Sequence, residues 1–189
     1  VSAATLHASA VELLSGWSAP DAPQDALRHT YLAFLAATDD ACLRACAAGH
    51  LTASAIVFDA AREHVLLTLH PRVGKWVQLG GHCEPDDESI TAAARREARE
   101  ESGIGDLEIT GGLVALHTHP ITCSLGVPTR HLDMQFVVVT APTTTGAPPP
   151  IERSAESVDL RWWPVEALPD AVDHDTVPAL IRSARRRLH

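Results

Sequence analysis

Three carboxylates, Glu97, Glu100 and Glu101, stand at i, i+3 and i+4 in a run of helix-forming residues from Ser89 to Ser102. That spacing puts them on one helical face. Carboxylates held so close repel one another unless something positive sits among them. A glutamate-rich helix is most often a solvated face whose acids pair with basic neighbours, here Arg95, Arg96 and Arg99. The other solution is a hard divalent cation, which takes oxygen ligands and leaves positions open for water and phosphate. On that reading the helix belongs to a metal site for phosphate chemistry.

The residues around the glutamates favour the metal. Gly81 opens an acidic loop that runs to Glu88, and Arg96-Glu97-Ala98-Arg99-Glu100-Glu101-Ser102-Gly103-Ile104 closes the helix. This stretch resembles the Nudix box, in which a glycine leads at fixed spacing to a glutamate and then to Arg-Glu-apolar-any-Glu-Glu-any-Gly-apolar. The match is complete from Glu88 to Ile104. Six residues separate Gly81 from Glu88, one more than in the box, and His82 occupies its glycine position.

The resemblance implies a hydrolase that splits a nucleoside diphosphate from another moiety X by water attack at phosphorus. It implies Mg²⁺ or Mn²⁺ on Glu97, Glu101 and Glu100, with the Gly80 carbonyl as a further ligand or only part of a turn. One of the glutamates would also orient or deprotonate the water. Arg96 would hold Glu97 or Glu88 in place, and Glu88 would act from behind the ligands. Some Nudix enzymes carry a further glutamate before the last strand, ahead of a tryptophan. Glu156, six residues before Trp162, fits that place, and Glu152 competes with it. Arg72, Lys75 and Arg130 fall in predicted loops and are candidates to receive substrate phosphates, although isolated basic residues more often serve solubility.

Two alternatives stand beside the hydrolase. One is a non-catalytic Nudix-fold sensor of nucleotides. The other is an isopentenyl-diphosphate isomerase-like enzyme: Gly49-His50 and Gly81-His82 are similar to its histidine ligands. Gly80 stands where its cysteine would be, however, and its glutamate helix is degenerate where this one is complete. The histidines also raise a reading of their own. Alternation places His117 and His119 on one face of a strand, and His131 and Asp133 on one face of the next. With His50 and His82 they would form a second, transition-metal site, or simply be hydrogen-bonded packing residues.

The elements that must position these groups follow from periodicity and turn chemistry. Thr5–Trp17 and Ala22–Ala37 read as amphipathic helices, with a third helical piece over Asp40–Ala48 that would put Cys42 and Cys46 on one buried face. Strands are predicted at 51–59, 64–69 and 76–79, the last feeding a glycine turn, then at 107–118, 132–139 and 158–163. The box helix spans Ser89–Ser102, with Ser89 as N-cap and Gly103 beyond its end. Asp175–Leu188 forms a closing helix, and the Thr- and Pro-rich stretch 141–150 a flexible loop. Strands interleaved with helices give an α/β fold with a mixed β-sheet, the α/β/α sandwich that the resemblance implies for about residues 50–188. Residues 1–49 form a helical extension and 50–189 the catalytic domain.

Bulk properties set outer bounds. A chain of 189 residues with 46% hydrophobic content buries one good core. A formal charge of −9 argues against nonspecific nucleic-acid binding or an anionic membrane surface, but not against a small nucleotide-type diphosphate held through a cation. Cys42, Cys46, Cys83 and Cys123 form no zinc pattern, which suits a reduced, cytoplasmic protein. The opening residues lack the pattern of a signal peptide, and no apolar run approaches a membrane span.

Overall fold

The computed structural model describes residues 2–122, 126 and 128–189, so Cys123 lies outside the described residues. Its elements run α1 (Ala3–Gly16), α2 (Ala22–Ala37), β1 (His50–Phe58), β2 (His64–Leu69), β3 (Trp76–Val77), β4 (Leu79–His82), α3 (Ile90–Ser102), β5 (Ile109–Thr122), β6 (Pro128–Val139), β7 (Asp159–Pro164) and α4 (Val177–Arg187). The seven strands make one mixed sheet in the order β3-β2-β1-β6-β5, with β4 also on β1 and β7 on β2. β1 and β6 are parallel and in register from His50↔His131 to Phe58↔Val139, while the other strand pairs are antiparallel.

β1 is buried along its whole length because helices cover both of its faces. Leu51, Ala53, Ala55 and Val57 pack with Ile90, Ala93, Ala94 and Ala98 of α3 and with Leu6, Leu14, Tyr31 and Leu35 of α1 and α2. Alanines on both partners let α3 lie close to the sheet. Ile56 and Phe58 point the other way and pack with Val177, Leu180, Ile181 and Ala184 of α4. The architecture is the expected α/β/α sandwich.

The N-terminal helices are built into this core. Trp17 donates its indole N–H to the Leu113 carbonyl at 2.9 Å. Gln24 pairs with the backbone of Leu116 in both directions, at 3.0 and 2.7 Å, much as a neighbouring strand would. Tyr31 donates its hydroxyl to His117 O at 2.7 Å. β5 is an edge strand of the sheet, and these side chains satisfy part of the backbone that an edge leaves open.

Several local expectations are corrected. Asp40–Ala48 is a series of turns, with Leu43 N–H donating to Asp40 O and Cys46 N–H to Leu43 O. The Ala41 carbonyl accepts from Leu51 N–H at 2.8 Å and is drawn toward the sheet instead of into a helix. Gly80 and Gly81 lie in strand β4, paired with Ser54 and Ala53, where a turn was predicted. Arg130 stands within β6 and not in a loop. No helix among the described residues is long and apolar enough to cross a membrane.

Candidate active site

The helix α3 starts where Ser89 accepts the N–H of Ala92 at 3.1 Å and stops at Gly103, whose φ of +72° favours glycine. Its inner face packs against β1 and β4, and its glutamates meet the glycines of β4. Glu101 Oε2 accepts the Gly80 N–H at 2.8 Å. A Cβ on Gly81 would lie 2.7 Å from Glu97 Oε2, so the missing side chain makes room for that carboxylate. Gly80 is needed for another reason: a Cβ there would stand 2.4 Å from Ser54 Cα.

Arg96 organises the surrounding loop. Its Nε and Nη2 grip Asp87 Oδ1 and Oδ2 at 2.9 and 3.0 Å, and Nη2 also donates to His82 O at 2.9 Å. Nη1 donates to Glu97 Oε1 at 2.9 Å and to Glu100 Oε2 at 3.1 Å. All five guanidinium donors are thereby engaged. Its partner in the loop is Asp87, which is buried, whereas Glu88 is exposed. Of the two acids that the sequence offers to Arg96, it holds Glu97, and Asp87 takes the place of Glu88. Five residues separate Gly81 from Asp87, so counting forward from the glycine finds the acid that counting back from Arg96 misses. The extra residue falls after the acid, not before it.

The two inner carboxyls are crowded. Burial raises Glu97 from 4.5 to about 7 against the pull of Arg96, with the charges of Glu100 and Glu156 adding to the rise. Burial likewise raises Glu101 to about 8, opposed by the Gly80 N–H and reinforced by Glu97, Glu156 and Glu100. Glu156 therefore lies within electrostatic reach of both. Glu152 instead lies at the end of the helix, its N–H donating to Ser102 O at 2.8 Å. Glu100 is more open, with 60% of its side chain exposed. It borders a concavity of about 400 Å³ shared with Asp86, Asp87, Glu88, Ala92, Arg95, Arg96 and Arg99.

The predicted phosphate-binding residues lie outside the box helix. Lys75 is paired with Asp173 at 2.9 Å, Arg72 is exposed in the turn between β2 and β3, and Arg130 is exposed within β6. Trp76 and Trp163 pack edge-on at 5.2 Å, and both belong to the packing on the α4 side. Cys83, the cysteine nearest Gly81-His82, is buried, and burial pushes its thiol well above the ordinary value. It is not poised as a nucleophile.

Behind β4, on the opposite face from α3, His50, His82 and His131 converge. Burial holds His82 down at about 4 and His131 at about 3, and lowers His50 and His119, so these rings are neutral. Next to them Asp133 is buried, accepting from Thr52 at 3.0 Å, Ser54 at 2.6 Å and Gln135 at 3.1 Å.

A mixed sheet between helices, a box helix with paired half-buried carboxyls and an arginine-clamped loop together define a class. The family model of the NUDIX domain matches residues 49–182, and the chain belongs to the Nudix family. It is thereby a hydrolase acting on phosphoric anhydrides. Solved structures share the fold. An E. coli dihydroneopterin triphosphate pyrophosphohydrolase superposes with a TM-score of 0.56 at 18% identity, covering 72% of this chain and 95% of that one. A C. elegans Ap4A hydrolase gives 0.53 at 20% identity, covering 73% and 96%. The NUDIX domain of Shewanella oneidensis NrtR, complexed with ADP ribose, gives 0.53 at 24% identity, covering 83% and 97%. No curated protein matches the chain.

Proposed function

We propose that this protein is a metal-dependent pyrophosphohydrolase that cleaves a nucleoside diphosphate linked to another moiety. The observation that carries the reading is the pair Glu97 and Glu101, half-buried side by side against Gly81 and Gly80. Two carboxyls whose ionisation is opposed by burial and by each other form a donor set suited to a hard divalent ion. The space left by the missing Gly81 Cβ fits the same use. Glu97, Glu101 and the more open Glu100 would hold Mg²⁺ or Mn²⁺, with the Gly80 carbonyl as a backbone ligand. Such an ion lowers the pKa of bound water and neutralises charge on the departing phosphate.

The chain's own residues supply the rest. Arg96 fixes the rotamers of Glu97 and Glu100 and ties the loop to the helix through Asp87 and His82 O. Glu156, exposed and near both inner carboxyls, is the candidate to accept the proton of the attacking water. Arg72, Lys75 and Arg130 remain candidates for outlying phosphates, Lys75 after release from Asp173. A nucleotide-type substrate accords with neighbours described as an Ap4A hydrolase and as a domain bound to ADP ribose.

The test is product release from a panel of nucleoside diphosphate derivatives with Mg²⁺, with Mn²⁺ and with chelator. Metal-dependent cleavage that is lost in the Glu97→Gln/Glu101→Gln double variant is expected. Cleavage that survives chelation or the double substitution would refute the reading. Tight binding without turnover would replace the hydrolase with a sensor.

A further inference from the structure

Four histidines far apart in sequence form a row across four adjacent strands. His82 of β4, His50 of β1, His131 of β6 and His119 of β5 lie at the same end of the sheet, because His50 pairs with His131 and His131 with His119, while His82 pairs with Thr52, two residues along from His50. Their ring centroids are 5.1 Å apart for His50–His82, 5.0 Å for His50–His131, 5.0 Å for His82–His131 and 5.2 Å for His119–His131. One ligand nitrogen from each of His50, His82 and His131 lies within 4.8 Å of the other two.

Hydrogen bonding singles out the nitrogens that face the centre. His50 is 1% exposed, and its Nδ1 lies 3.3 Å from the Cys46 carbonyl. A carbonyl only accepts, so Nδ1 carries the proton and Nε2 is left as a lone pair. That Nε2 is buried with no hydrogen-bond partner among the described residues, and so is His131 Nε2. Two buried, unpartnered imidazole nitrogens beside a third ring are costly if left empty. A ligating histidine whose other N–H is fixed by a backbone carbonyl is the usual arrangement at a metal.

We infer that His50, His82 and His131 form a second metal site, selective for a borderline transition ion of the Zn²⁺ class and separate from the glutamate site on the other face of β4. Imidazole nitrogen favours such ions, whereas carboxylate oxygen favours Mg²⁺ and Mn²⁺. Tetrahedral Zn–N bonds of about 2.0–2.1 Å require nitrogens roughly 3.3–3.4 Å apart, so side-chain rotations closing the present spacing by up to about 1.5 Å complete the site. Three protein ligands leave a fourth position for water, for His119 or for an anion. Arg44, whose positive charge reaches all three rings, opposes a cation there, and an anionic fourth ligand offsets it. β4 thus carries a site on each face: its glycines meet the glutamates, and His82 turns its ring to the histidines while its carbonyl holds Arg96.

The experiment is titration of the chelator-treated, dialysed full chain with Co²⁺, read by visible d–d absorption, followed by displacement with Zn²⁺. The expected result is one saturable equivalent with the intense bands of a tetrahedral nitrogen site, bleached by Zn²⁺ and unaffected by excess Mg²⁺. His131→Gln and His82→Gln, each checked for folding by circular dichroism, should weaken Co²⁺ binding by more than the about 10–100-fold that loss of an outer-shell partner costs. The Glu97→Gln/Glu101→Gln variant should bind Co²⁺ as the parent does, which separates this site from the catalytic one. The absence of saturable bands in the parent, their persistence in both folded histidine variants, or their loss in the glutamate variant would each overturn the assignment.

Discussion

Replacing Glu101 by Gln should make the metal-free protein more stable as the pH rises, by an amount the structure sets. Burial first, and then the charges of Glu97, Glu156 and Glu100, raise the folded-state pKa of Glu101 from 4.5 to about 8. A raised folded pKa means that the protonated carboxyl stabilises the fold fully below the unfolded value. That contribution is lost as pH climbs through the folded one. In between, the unfolded chain is ionised while the folded one is protonated, so stability falls by about 1.4 kcal/mol per pH unit. From about pH 5.5 to about pH 8 the loss is about 3 kcal/mol. The amide introduced by Glu101→Gln would stay neutral throughout, and its oxygen would still accept the Gly80 N–H. The histidines titrate identically in both proteins and cancel in the difference. Urea denaturation in chelator across this range should show the stability gap opening by about 3 kcal/mol in favour of the variant. Added Mg²⁺ at the alkaline end should stabilise the parent and leave the variant nearly unchanged. A gap that stays constant with pH would refute the reasoning, because it would mean that the Glu101 carboxyl is not held neutral among its neighbours.

Arg96→Lys should destabilise the fold by about 2 kcal/mol or more, since a point charge cannot replace the fork on buried Asp87 and the bonds to Glu97 and Glu100. Glu88→Gln should change stability by less than about 0.5 kcal/mol, and urea denaturation of the two variants compares them directly. Gly81→Ala should fold but weaken Mn²⁺ binding by about tenfold or more, because its Cβ displaces the tip of Glu97. Gly80→Ala meets Ser54 backbone at 2.4 Å and should yield little folded protein; calorimetry and soluble yield read both glycine variants. On the acid side, His82 and His131 are neutral in the fold down to about 4 and about 3. Their contribution is present above the unfolded value near 6.5 and lost as pH falls toward those figures, at up to about 1.4 kcal/mol per pH unit for each ring. His82→Gln should flatten that acid limb in a denaturation series, and an unchanged limb would count against the buried row.

What could be read from the sequence was what a single segment encodes. The box helix, its Ser89 cap, its Gly103 stop and the shared face of Glu97, Glu100 and Glu101 follow from spacing of three and four residues, which any α-helix enforces. The mixed sheet between helices likewise follows from alternation and turn residues. The identity of the acid in Arg96's grip was present in the spacing from Gly81, but the choice between Asp87 and Glu88 depended on how the loop turned, and the fold decided it. The strand character of Gly80 and Gly81 was equally hidden, because glycine signals a turn locally and only pairing with Ala53 and Ser54 makes it part of a sheet.

Tertiary structure alone united the N-terminal helices with the sheet, since Trp17, Gln24 and Tyr31 find their partners on β5 some ninety residues away. Alternation grouped the histidines, but only the fold decided that His50, His82 and His131 converge with His119 beside them. Periodicity fixes which side of its own strand a residue faces, but the neighbour across a strand is set by register, and register belongs to the folded sheet as a whole.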